Sequence, residues 1–235
     1  MTSAYGRPAG GGASMEGMTR ALIALTSHSE LGRTGRSTGY YVGEAAEPWE
    51  VFRAAGYDVD LVSVAGGEPP VDGRDENDTT QNDFLATAGV TDTPKAADVD
   101  PAGYDVILFA GGHGTMWDFP DDPDLARIAR SVYERGGVVA AVCHGPSALV
   151  NLTLTDGSRL VAGKRVAGFT NSEEAAVGLT DEVPFLLADK LTEAGAQHVP
   201  APDFTEHVVV DERLVTGQNP QSARAVADAV VKLIA

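Results

Sequence analysis

The chain of 235 residues has one cysteine, two tryptophans and half as many basic as acidic side chains, 17 against 34. A single cysteine cannot close an internal disulfide, so the fold does not depend on an oxidising compartment. A formal net charge of −17 with no Lys/Arg cluster argues against nucleic acid or an anionic membrane surface as a partner. No apolar run approaches the length of a membrane span, and cytoplasm is the expected location. The five histidines show no HxxxH spacing and there is no CxxC, so no metal is expected. No GK[ST] follows the glycine-rich turns, which sets aside a phosphate loop.

What remains is an ordinary supply of apolar residues, 43%, enough for a substantial core. Residues 1–18 are rich in Gly, Ala and Ser and have no apolar signal core, so they read as a disordered leader. Residues 19–235 read as one domain. Strand-like runs at 21–25, 59–64, 104–112, 138–142, 165–169 and 207–217 alternate with helical patterns at 47–56, 123–137, 181–195 and 220–235. That alternation predicts an α/β fold, a mostly parallel sheet with helices on both faces. The Gly/Pro/Asp-rich stretch 66–100 is expected to be a surface excursion with one short helix. Chemistry in such folds collects beyond the carboxyl ends of the strands.

The lone cysteine stands in VVAAVCHGPSALV (138–150), where an apolar run meets glycine and proline. Ala141 and Gly145 flank it two positions away on each side, the small-x-nucleophile-x-small spacing of a nucleophile elbow. A helix opening at Pro146 would favour the thiolate through its dipole. Against this, free cysteine is among the most buried residue types and usually only packs. In LFAGGHGTMWDFP (108–120), glycines follow another strand, where bare N–H groups can meet a developing oxyanion. His113 lies just after those glycines, where it could line a pocket or simply hold a structural hydrogen bond. Glu44 in GEAAEP opens a helix, Trp49 and Trp117 read as packing or rim residues, and Asn219 is expected to N-cap the last helix.

Taken together, TGYYVGEAAEPWEVF, FAGGHGTMWDFP, GGVVAAVCHGPSALV, GKRVAGFTNSEEAAVGL and LVTGQNPQSA resemble the ThiJ/PfpI superfamily. Within it they are most similar to the branch of glutathione-independent glyoxalases (glyoxalase III) and heat-shock chaperones. The resemblance runs in order from residue 20 to 235. It implies a flavodoxin-like three-layer sandwich, a homodimer, and conversion of methylglyoxal or a related 2-oxoaldehyde to a 2-hydroxy acid such as lactate. No cofactor is implied: no metal, nucleotide or glutathione. The nucleophile falls on Cys143, its neighbour on His144, an acidic partner on Glu44 and a second on Glu174, with Glu173 the alternative. Oxyanion donors fall on the N–H groups of Gly112 and His144. Two buried negative charges side by side are unfavourable, so Glu44 is expected to stay neutral and its hydrogen bond to lower the thiol's pKa. The other readings are a stress chaperone, protein deglycase or redox-sensing thiol protein, and a cysteine hydrolase related to glutamine amidotransferases. An acid at position 44 speaks for the glyoxalase, because amide cleavage needs a basic partner at sulfur.

Overall fold

A computed structural model of the chain describes residues 17–235, so all but two residues of the expected leader lie outside the described range. The chain enters through β1 (Arg20–Leu25) and a two-residue strand β2 (Tyr40–Tyr41). It runs straight into α1 (Val42–Ala54) and returns as β3 (Asp58–Ser63). The excursion at 66–100 holds β4 (Val71–Asp72), the one expected helix α2 (Thr79–Thr87) and short 3-10 turns. Next come β5 (Val106–Phe109), α3 (Thr115–Asp118), α4 (Pro123–Glu134) and β6 (Val138–Val142). After β7 (Arg165–Val166), α5 (Asn171–Ala176), α6 (Leu187–Glu193) and β8 (Gln197–His198), the chain ends in the hairpin β9 (Val208–Asp211) and β10 (Leu214–Gly217) and in α7 (Ala223–Ile234).

Six strands form the central sheet in the order β3-β1-β5-β6-β10-β9, parallel except for β9 at the edge. The connection from β1 through α1 to β3 runs toward one edge, and that from β5 through α4 to β6 toward the other. Right-handed crossovers therefore place α1 and α4 on opposite faces. α7 packs beside α1, and α4 lies on β5 and β6. Covered on both sides, β5 and β6 are buried along their whole length, which is why they read as unbroken apolar runs. Among the described residues no helix is long and apolar enough to cross a membrane.

α4 shows how the sequence sets its own boundaries. Asp122 caps it by accepting from the Asp124 and Leu125 N–H groups, Pro123 occupies the first turn, and Gly136 follows its end. Leu125, Ile128, Ala129 and Val132 recur at helical spacing and form its buried stripe.

Three expectations need correction. The run 165–169 is a strand only at Arg165–Val166, because Ala167 and Phe169 turn away to donate their N–H groups to Thr216 Oγ1 and the Cys143 carbonyl. The helix expected from 181 begins at Leu187, since Pro184 disfavours helical geometry in the residue before it. Beyond β6 the chain forms a five-residue 3-10 turn, Gly145–Leu149, instead of an α-helix.

Candidate active site

Cys143 follows β6 directly and has φ of 60°, a left-handed conformation uncommon outside glycine. Its N–H donates to the Gly217 carbonyl at 3.0 Å and its carbonyl accepts from Phe169 N–H at 2.9 Å, so two neighbouring segments hold the turn. Gly145 is required at the flank: a Cβ there would lie 2.2 Å from the Phe109 carbonyl oxygen. This is the expected elbow, formed without the expected helix behind it.

Glu44, in the first turn of α1, is completely buried. Its Oε2 accepts from Gly111 N–H at 2.9 Å, and among the described residues its Oε1 has no hydrogen-bond partner. A side chain at Gly111 would collide with that carboxyl, its Cβ falling 2.3 Å from Oε2. Burial raises the acid to about 8, and the neighbouring Cys143 thiol and the Gly111 N–H oppose this only in part, so Glu44 is mostly protonated at neutral pH. The thiol does not behave as expected. Burial first, then the Glu44 carboxyl, push it well above the ordinary cysteine value. A five-residue turn supplies little dipole to oppose them, and the resting sulfur is a thiol.

Glu174 joins two rings. Its Oε2 meets His144 Nε2 at 2.7 Å and its Oε1 meets His113 Nε2 at 2.8 Å. Burial alone would raise this carboxyl, but the two rings outweigh burial and hold it near 2. An ionised carboxylate only accepts, so both Nε2 atoms carry hydrogen. His144 is then left with a bare Nδ1, 3.4 Å from Cys143 Sγ. Burial lowers His144 to about 4, so the ring is neutral at rest. The rings of His113 and His144 lie 4.1 Å apart, although the sequence shows the other histidines scattered.

The choice between the adjacent glutamates follows from helix capping. Thr170, Asn171, Ser172 and Glu173 form a capping box at the start of α5, with Thr170 N–H donating to Glu173 Oε2 and Glu173 N–H to Thr170 Oγ1. Glu173 is thereby turned to the helix start and Glu174 to the histidines. Glu173 Oε1 also accepts from Phe204 N–H, Gln218 Nε2 and Asn219 Nδ2. Burial opposes its ionisation, yet these donors hold it below the usual carboxylate value. Asn219 does not cap with its side chain; it spans Glu173, the Thr205 carbonyl and Ser222 Oγ.

A cavity of about 320 Å³ opens over the sulfur, lined by Gly112, His113, Cys143 and His144 with Phe169 and Phe204 as walls. Gly112 has φ of 104°, and a Cβ there would fall 2.3 Å from the Gly39 carbonyl oxygen. Among the described residues, the N–H groups of Gly112 and His144 donate to no backbone carbonyl. Five of the six expected site residues, Cys143, His144, Glu174, Gly112 and His113, meet at this cavity or behind it, and Glu44 packs beneath the sulfur. Sequence reasoning missed Phe169, Phe204 and the work of Glu173; the T-x-x-E capping pattern was the available signal for the last. His113, His144 and Glu174 also bring potential metal-ligand atoms within 4.8 Å of one another. An ion there would have to displace the two N–H···O hydrogens.

Comparisons with known proteins find relatives along nearly the whole chain. Residues 39–233 match the model of the DJ-1/PfpI family. The chain is 38% identical to Glyoxalase 3 of Candida albicans over 232 residues, 91% of this chain and 98% of that one. It is 35% identical to the glutathione-independent glyoxalase HSP31 of Saccharomyces cerevisiae, covering 88% and 94% respectively. Among solved structures, the Rapid Encystment Protein 24 KDa of Francisella tularensis superposes with a TM-score of 0.89 at 38% identity, covering 93% of this chain and 100% of that one. Glyoxalase III from Candida albicans superposes with 0.85 at 35% identity, covering 92% and 97%.

Proposed function

The chain belongs to the DJ-1/PfpI family, and we propose that it is a glutathione-independent glyoxalase acting on methylglyoxal or a related 2-oxoaldehyde. The observation that carries this reading is Glu44, a buried carboxylic acid kept neutral against the candidate nucleophile. Such an acid can donate to sulfur or to a substrate oxygen throughout the cycle. Amide cleavage has no evident use for it.

In the proposed reaction Cys143 Sγ attacks the aldehyde carbon while its proton passes to His144 Nδ1, whose other nitrogen is already tied to Glu174. Gly112 and His144 N–H groups receive the developing oxyanion. Imidazolium returns its proton to that oxygen and leaves a hemithioacetal and a free base. His144 then removes the hydrogen from the former aldehyde carbon and delivers it to the neighbouring carbon through an enediol. The result is a thioester beside a new alcohol, and water cleaves the thioester. Methylglyoxal plus water gives lactate: one carbon is oxidised and its neighbour reduced, with no external oxidant or cofactor. The reverse direction is a dehydration, which places the enzyme among the lyases. The homodimer implied by the family resemblance and the cytoplasmic location expected from the sequence belong to the same reading.

The test is lactate production from methylglyoxal without glutathione, compared in wild type and Cys143→Ala. Cysteine-dependent lactate upholds the reading. Ammonia from glutamine with no lactate would replace it with the hydrolase.

A further inference from the structure

The cavity is larger than the smallest substrate needs, and more of its lining surface is apolar than polar. About 320 Å³ is room for about ten water molecules, whereas methylglyoxal has three carbons and two oxygens. The lining includes Leu31, Phe169, Val177, Leu179, Phe204 and Pro220, with Arg36 and Asp72 among its polar members. Phe204 and Val177 are 39% and 41% exposed, unusual for large apolar side chains in this chain, and both stand on this rim.

Phe204 is held there at a cost. Its φ of 53° is left-handed, an unfavourable state for an aromatic residue. The buried Glu173 carboxylate fixes it by accepting the Phe204 N–H at 2.8 Å. Its ring meets Phe169 edge to face at 6.2 Å, and Phe169 lies 4.3 Å from His144. An aromatic path therefore leads from the reacting sulfur's neighbour to the mouth.

We infer that the site takes a 2-oxoaldehyde with an apolar substituent larger than methyl, aryl or branched alkyl, and that Phe204 is the wall that selects it. This rests on the glyoxalase reading for its chemistry, in which an aryl glyoxal and water give the aryl 2-hydroxy acid by the same internal hydrogen shift.

The test compares kcat/KM for phenylglyoxal and methylglyoxal in wild type, Phe204→Ala and Phe204→Leu. Calorimetric affinities for the two product acids, mandelate and lactate, accompany it. Wild type is expected to favour phenylglyoxal by about tenfold or more, the discrimination available to an apolar pocket. Phe204→Ala should lower that ratio by about tenfold, and Phe204→Leu should restore most of it. Should Phe204→Ala fail to fold, Val177→Ser on the exposed rim reads the same ratio. Equal kcat/KM for the two aldehydes in wild type, or a proportionate loss of both in Phe204→Ala, overturns the inference. Failure to turn over either aldehyde sinks the glyoxalase reading alone, and the acids then decide the pocket. Mandelate binding about tenfold tighter than lactate upholds it; equal affinities overturn it.

Discussion

The Glu44 carboxyl and the Cys143 thiol are buried against each other, and burial raises the pKa of both. At neutral pH the pair holds two protons, so nucleophilic sulfur must be made during the reaction, with His144 Nδ1 at 3.4 Å as the receiver.

Glu44→Gln keeps the shape and removes the acidic proton. We expect lactate formation to fall by about 10²- to 10⁴-fold, the usual span for a positioned acid or base. In wild type, activity should decline as pH rises through about 8, where Glu44 ionises. Stability follows the same group. Its folded pKa lies above the ordinary 4.5, so the folded state binds the extra proton and stability falls between pH 4.5 and about 8. Urea unfolding at pH 6 and pH 9 should show a loss of a few kcal/mol in wild type that Glu44→Gln lacks. A flat wild-type profile would contradict the neutral acid.

Glu174 has the opposite sign. Held near 2 in the folded state, it contributes stability present above pH 4.5 and lost as pH falls toward 2. Glu174→Gln should be less stable than wild type above pH 4.5, with the difference shrinking as pH falls toward 2. Its kcat should drop about 10²-fold, because His144 no longer has its Nε2–H tautomer enforced. An acid-unfolding curve and kcat measured together check this; unchanged kcat would remove His144 from the proposed proton path.

Gly145→Ala tests the elbow itself. The new Cβ would lie 2.2 Å from the Phe109 carbonyl oxygen, so the turn must shift. We expect a loss of about 1–3 kcal/mol and a matching loss of turnover as Sγ leaves His144 Nδ1. Thermal melts and a lactate assay read both.

Glu173→Gln should be nearly as harmful as Glu173→Ala, because its NH₂ would face donors where a carboxylate now accepts from five. Each donor left unpaired costs about 1–3 kcal/mol. A Glu173→Gln variant as stable as wild type in chemical denaturation would show that these bonds contribute little.

The sheet was readable because its inner strands are continuous apolar runs and its helices carry clear boundaries, as at Pro123 and Gly136. Cys143 was readable from its small neighbours, and Glu44 and Glu174 only with the family resemblance added. The capping box could have separated Glu173 from Glu174 without it. The thiol's raised pKa could not be read, since it arises from burial by segments far apart in the chain. Phe204 was invisible for the same reason: its place depends on a left-handed backbone held by a carboxylate 31 positions away.

The brief 3-10 turn after the elbow has a protective effect. Burial and the Glu44 carboxyl, with no long helix dipole to oppose them, hold the thiol's pKa up, and a protonated thiol is a poor target for peroxide and alkylating agents. An enzyme that handles electrophiles thus leaves its own weak point unarmed until an aldehyde is in place.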